Sequence, residues 1–300
     1  MSQRFGIQVA AIRKQCGKDC EFVHVEAPTV LKPVDLPQNL ASIGAIDRQQ
    51  NATSSASAIE TLESENLELI PRGWWLRDRP ETMHKCVSYF VDLLKEHEEI
   101  PFDGVLGFSQ GACAAALLTI MLENSNLIHR LLGSSQTGSP SVTSITHPRL
   151  KFCILVAGFR PRFIQRGVAE ESQVSAYTGT IEDEIQLLFD KGIYTPTLHI
   201  LGENDQIVGR ERSQTLIDAC NEETRRIERH EGGHFVPSKT SWRQFFARYI
   251  HLENHVDSSE LPSPNPLLTE VGTGSGMSTP GLRSGAITPK LDPNLASETN

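Results

Sequence analysis

Phe102-Asp-Gly-Val-Leu-Gly-Phe-Ser-Gln-Gly111 is the stretch that decides the fold. Its apolar run up to Phe108 reads as a buried strand, and Gln110 to Glu123 reads as a helix that is apolar almost all round. Between them sits Gly107-Phe-Ser-Gln-Gly111, a G-x-S-x-G. Chance supplies this pattern about 0.1 times in a chain of this length at roughly 7% usage of each residue, so its context carries the weight. A strand before and a helix after give the pattern a mechanical meaning. The sharp turn forces Ser109 into strained backbone geometry and lifts its hydroxyl above the sheet at a helix N-terminus. There the amide of Gln110 is placed to stabilise an oxyanion. On this reading Gly107 and Gly111 both lack side chains because the turn leaves no room, and Ala112, Cys113, Ala114, Ala115 and Ala116 let the helix approach the sheet.

The same alternation extends outward in both directions. Cys20-Glu-Phe-Val-His-Val25 reads as a strand. Glu81 to His97 reads as a helix with Met83, Val87, Phe90, Val91 and Leu94 on one face. Phe152-Cys-Ile-Leu-Val-Ala157 and Thr197-Leu-His-Ile-Leu201 are further buried strands. A helix over Arg210 to Cys220, a short strand over Arg225 to Arg229 and a closing helix over Trp242 to Leu252 complete the series. Continuous apolar strands alternating with helices predict an α/β protein with a mostly parallel sheet and helices on both faces. Such sheets place their ligands at the carboxyl ends of the strands, so the residues just past each strand end matter most.

A serine at neutral pH needs a base, and in this fold the chain order is Ser, then Asp or Glu, then His. Glu203-Asn204-Asp205 comes after the strand ending at Leu201, and Asp205 is the expected acid with Glu203 as its rival. His230-Glu-Gly-Gly-His234 comes after the strand at Arg225 to Arg229. His234 is the expected base, because two glycines free its loop to bend toward Ser109. His230 is the rival and lies nearer the strand. His230 to His234 also spells H-E-x-x-H. That zinc signature works only on a helix, and two interior glycines cost a helix about 1 kcal/mol each, so no metal is expected. Arg72-Gly-Trp-Trp75 places adjacent tryptophans before a helix; walling an acyl pocket and ordinary core packing are equally weighted. Gly158 and Phe159 lie just past a central strand and are expected to line the site, with Arg160 as a further candidate.

Composition excludes several classes. The 300 residues carry a net charge of −9, which leaves no electrostatic footprint for nucleic acid or an anionic membrane surface. No run of about 18 apolar residues points to a membrane span, and Met1-Ser2-Gln3-Arg4-Phe5 leads into no secretory h-region. With no such signal, the six cysteines read as reduced, mostly buried thiols, and the expected location is cytoplasmic, with the nucleus as a further compartment.

Residues 1–252 are the expected hydrolytic domain, with long loop insertions near 36–66 and 124–148. Residues 253–300, rich in Ser, Thr, Pro, Gly and Asn, are expected to be a disordered tail. Ser263-Pro, Thr279-Pro and Thr288-Pro are phosphoacceptor patterns in it, against a favoured reading of plain solvated chain. Asn51-Ala-Thr53 matches a glycosylation sequon that the compartment argues against.

Taken together, several segments resemble the FSH-type family of serine hydrolases, especially its fungal members. They are Gly17-Lys-Asp-Cys-Glu-Phe-Val, Glu26-Ala-Pro28, Arg72-Gly-Trp-Trp75, the segment ending at Gly111, Val156-Ala-Gly-Phe159, Leu201-Gly-Glu-Asn-Asp205 and Glu231-Gly-Gly-His234. The resemblance runs from about Gly6 to His251. It implies an α/β-hydrolase fold and a Ser109/Asp205/His234 triad. It also implies no cofactor and a small-molecule acyl ester or thioester as substrate; some relatives are thioesterases that release polyketide chains.

One departure stands out. The family opens with a strand ending in a His-Gly turn whose loop helps to build the oxyanion hole. No such strand or dipeptide precedes Ile12, so the chain enters partway through the first helix. Loss of one oxyanion donor costs on the order of a hundred- to a thousandfold in rate, and a missing strand leaves an edge unpaired. This leaves two readings. The leading one is a serine hydrolase of carboxylic esters or thioesters acting through an acyl-enzyme. The alternative is a catalytically impaired binding protein on the same fold.

Overall fold

Four parallel strands lie side by side in chain order. They are β3 (Gly104–Phe108), β4 (Phe152–Val156), β5 (Thr197–Gly202) and β6 (Arg225–His230). Parallel neighbours need a crossover, and each one here supplies a helix. The computed structural model describes residues 2–32, 35, 71–125, 146–162 and 180–266. These belong to one unit covering residues 1–269. The expected insertion at 36–66 lies outside the described residues, and of the one at 124–148 only the two ends are described. The sequon at Asn51 and the patterns at Thr279 and Thr288 also lie outside them.

β4 is continuously apolar, β3 and β5 are mostly so, and β6, Arg225-Arg-Ile-Glu-Arg-His230, is polar apart from Ile227. The two-residue period of each strand sorts its side chains to opposite faces. On one face Cys153 and Leu155 of β4 pack under α2 (Pro80–Glu96), α3 (Gln110–Glu123) and α4 (Ile181–Lys191). On the other face Phe152, Ile154 and Val156 meet α1 (Ser2–Cys16) and α6 (Thr240–Ile250). Helix α1 presents Val9, Ile12 and Cys16 to this second core, one residue per turn. α5 (Arg210–Ile217) comes after β5. Glu123, closing α3, accepts hydrogen bonds from the Thr195 amide and hydroxyl, both at 2.6 Å, and so ties the helix end to the entrance of β5.

The expectation of a strand at Cys20 to Val25 is not met. That segment is irregular, and the chain makes only a two-residue antiparallel pairing between β1 (Thr29–Val30) and β2 (Arg72–Gly73). A strand exists through a hydrogen-bonded neighbour, and among the described residues the outer edge of β3 has no strand paired to it. Residues 253–266, the start of the segment expected to be tail, are among the described residues. A 3₁₀ helix over His255–Glu260 sets His255 and Ser258 in buried positions, with the His255 ring stacked on Phe152. Arg226 of β6 donates to the Ser258 carbonyl and, at 2.8 Å, to that of Leu261, while Ser263 donates to Glu228 at 2.6 Å. The described chain is thus tied to β6 as far as Ser263. Four elements were not anticipated: β1, β2, the short 3₁₀ helix and α4.

Candidate active site

Ser109 stands between β3 and α3 with φ 55° and ψ −123°, a left-handed backbone that a serine adopts only under constraint. The constraint is visible. Its amide donates to the Val156 carbonyl at 2.9 Å, and its own carbonyl accepts from Ala112 and Cys113 as α3 starts. Gly107 is required here, since a Cβ would lie 2.1 Å from the Gly111 carbonyl oxygen. Gly111 is not required for the same reason, contrary to the expectation of no room. Its nearest neighbour to a Cβ would be the Trp74 indole nitrogen at 3.5 Å, an ordinary contact.

Three side chains from three strand ends meet at this turn. His234 Nε2 lies 3.0 Å from Ser109 Oγ, and His234 Nδ1 lies 2.7 Å from Asp205 Oδ2. The second carboxylate oxygen of Asp205 accepts from the amides of Ile207 and Val208 at 2.9 and 2.8 Å, which fixes the carboxylate on its turn. The Asp205 side chain is 4% exposed and that of His234 12%. Burial at that level keeps water from competing for the imidazole–carboxylate bond. The ring of Phe108 packs against the imidazole, 4.7 Å between centroids. Gly202 allows the approach of the histidine loop to β5, because a Cβ there would meet the Gly233 carbonyl at 2.4 Å.

The rival residues are engaged elsewhere. Glu203 pairs with Arg229 at 3.1 Å. His230 is buried, packs against Phe235 and edge-to-face with Trp242, and accepts from the Gly232 amide at 3.2 Å; burial lowers its pKa. His230 ends β6 and His234 lies in the loop after it, so H-E-x-x-H does not sit on a helix.

Gln110 opens α3, so its amide is one of the N-terminal donors that the helix itself leaves without an acceptor. Its side chain is committed to the tryptophans: Oε1 accepts from the Trp74 amide at 3.0 Å and Nε2 donates to the Trp75 carbonyl at 2.7 Å. Trp75 is 4% exposed in the core with α2, whereas Trp74 is half-buried against Phe90. Both border a cavity of about 2030 Å³ that also reaches Ser109, His234, Phe159 and Leu31. Gly158 does not border it. The residue is buried, and a Cβ there would press on Leu216 and Ala112. Arg160 also borders the cavity, and its guanidinium is engaged by Asp190 at 2.6 Å and Gln186 at 3.0 Å. The Phe159 ring sits under the Arg212 guanidinium at 3.8 Å. No helix among the described residues is long and apolar enough to cross a membrane.

A parallel sheet covered on both faces, with a strained serine at the turn from strand to helix, defines an α/β hydrolase. The family model described as "Serine hydrolase (FSH1)" matches residues 1–246, and the chain belongs to that family. It is 26% identical to Esterase OVCA2 of Danio rerio over 82% of this chain and 89% of that protein. It is also 26% identical to Esterase AAEL000016 of Aedes aegypti over 86% of this chain and 74% of that one. Among solved structures, Zea mays acyl-protein thioesterase 2 aligns at 16% identity with a TM-score of 0.35, over 62% of this chain and 68% of the maize chain.

Proposed function

We propose that this serine hydrolase cleaves carboxylic esters or thioesters, with Ser109 as nucleophile, His234 as general base and acid, and Asp205 as the group that orients the histidine. The observation that carries the reading is the unbroken pair of hydrogen bonds from Ser109 through His234 to Asp205, 3.0 and 2.7 Å. Its relatives' names, esterases over most of the chain, support the same substrate class.

The chemistry comes from the geometry. Asp205 accepts a hydrogen bond from the Nδ1–H of His234, which keeps the proton on Nδ1 and leaves Nε2 with its lone pair facing Ser109. As the serine oxygen bonds to the acyl carbon, its proton passes to Nε2, and the carbonyl electrons move on to oxygen. The amide of Gln110 at the helix start supplies a hydrogen bond to that oxyanion. When the tetrahedral centre collapses, Nε2 returns the proton to the departing alkoxide or thiolate. A water deprotonated by His234 then attacks the acyl-serine, and the released serine takes the proton back. The acyl portion occupies the cavity walled by Trp74 and Phe159, and no cofactor enters any step.

A fluorophosphonate probe tests this directly. Covalent labelling of the folded chain is expected, and it should vanish in Ser109→Ala and fall sharply in His234→Ala. Folded protein that takes up no label and hydrolyses no nitrophenyl ester or thioester would overturn the assignment.

A further inference from the structure

The ends of α1 and α6 bring together three ligand-type side chains that take no part in the chemistry above. Cys16 is the last residue of α1 and is buried. Gly17 comes next with φ +80°, a left-handed residue that ends the helix and turns the chain back over it. That reversal carries Cys20, half-buried, on to the helix end. His251, at the C-terminal cap of α6, reaches the same point from 231 residues away in sequence. One donor atom from each of Cys16, Cys20 and His251 lies within 4.8 Å of the others. Cys20 Sγ to His251 Nε2 is 3.7 Å, and the same nitrogen lies 3.0 Å from the Cys16 carbonyl oxygen.

We propose that Cys16, Cys20 and His251 form a site for a thiophilic divalent cation, Zn²⁺ by its donor set. Tetrahedral zinc holds sulfur at about 2.3 Å and imidazole nitrogen at about 2.0–2.1 Å, which sets sulfur–nitrogen separations of about 3.5–3.6 Å and sulfur–sulfur separations of about 3.8 Å. The Cys20–His251 distance of 3.7 Å is slightly longer than the first of these, and the three donor atoms, within 4.8 Å of one another, need only a short contraction to close on one metal. The Cys-x-x-x-Cys spacing fits the short loops that place two thiolates on one metal, and two thiolates with one imidazole favour Zn²⁺ over Mg²⁺ or Ca²⁺. Binding balances in charge and protons. Two thiol protons are released, the His251 proton moves to Nδ1, and Nε2 exchanges the Cys16 carbonyl for the metal. His251 is exposed and Cys20 half-buried, so a cation enters from solvent and the fourth position takes a water. The metal would clamp the end of α1 to the end of α6, the two helices that cover one face of the sheet.

Titrating the reduced full chain with Co²⁺ tests the site. A thiolate-to-cobalt charge-transfer band is expected to saturate at one Co²⁺ per chain and to be displaced by Zn²⁺, and Zn²⁺ should raise the Tm. Cys20→Ser and His251→Gln change residues that are not deeply buried, so both should fold, and each should weaken Co²⁺ binding at least about tenfold. The other four cysteines, Cys86, Cys113, Cys153 and Cys220, are buried and should not respond. No charge-transfer band, or a band unchanged in both variants, would overturn the proposal. The readout is spectroscopic, so it stands apart from the assignment of Ser109.

Discussion

The side chain of Gln110 bridges both tryptophans of the Trp74–Trp75 pair, accepting from one at 3.0 Å and donating to the other at 2.7 Å. In the proposed mechanism the residue offers its backbone amide to the reacting carbonyl, while its side chain holds the tryptophans that border the cavity. Gln110→Ala separates the two. The backbone amide stays, and two hydrogen bonds worth about 0.5–1.5 kcal/mol each are lost. Stability should fall by about 1–3 kcal/mol, and KM should rise more than kcat falls because Trp74 loosens. A collapse of kcat with unchanged KM would show instead that the side chain acts on the reacting atoms.

The two glycines of the turn should respond oppositely. At Gly107 a Cβ would lie 2.1 Å from a backbone oxygen, so Gly107→Ala must displace β3 or α3. A loss of at least about 3 kcal/mol, or failure to fold, is expected. Gly111→Ala meets only an ordinary 3.5 Å contact in the first turn of a helix. It should be neutral or stabilise by up to about 1 kcal/mol. Urea unfolding of both variants reads the difference, and equal losses would refute the steric account.

Much of this architecture is written locally in the chain. β4 is a run of apolar residues with no polar face, β5 keeps Leu198, Ile200 and Leu201 around Thr197 and His199, α2 shows its period through Met83, Val87, Phe90, Val91 and Leu94, and Ser109 sits at the junction of two unlike patterns. α4 escaped that reading although its signal is present. Thr180 and Asp183 form a capping box, and Ile181, Ile185, Leu188 and Phe189 come after at helical spacing. Cys20 to Val25 misleads for a physical reason: alternation reports which side chains are buried, and pairing depends on a neighbouring strand that local sequence does not name. The same limit hid the cluster at Cys16, Cys20 and His251, since its third member comes from the far end of the chain. Gly158 and Arg160 lie just past a central strand, yet one is consumed by packing and the other by α4.

Asp205 can be tested without disturbing its turn. In Asp205→Asn the amide oxygen can still accept from Ile207 and Val208, which leaves Nδ2–H₂ facing His234 Nδ1. The imidazole must then carry its proton on Nε2, where it cannot accept from Ser109. A loss on the order of 10³–10⁴ in kcat is expected. The Tm should change little, and fluorophosphonate labelling should slow in parallel. Activity within about tenfold of the parent would show that Asp205 does not set the tautomer.

Acid should destabilise this protein through histidines that fold in the neutral form. His199 lies in the middle of β5, is 2% exposed, and its Nε2 has no hydrogen-bond partner among the described residues. Burial, and then the charge of Arg225, push its pKa down from 6.5 to about 3. His230 and His255 are lowered in the same direction, chiefly by burial. A base with a depressed folded-state pKa binds its proton more readily when unfolded. Between the unfolded value and the folded one the unfolded chain therefore holds more protons, and stability falls as pH falls. For His199 that window runs from about pH 6.5 to about pH 3, with a slope of up to about 1.4 kcal/mol per pH unit. Carboxylates remain ionised above about pH 5, so the interval from 6.5 to 5 isolates the histidines. Unfolding free energies from urea titrations at pH 7, 6 and 5 should decline, and His199→Gln, which cannot titrate, should flatten the decline by one proton. An identical slope in the variant would mean that His199 is protonated in the folded chain as readily as in the unfolded one.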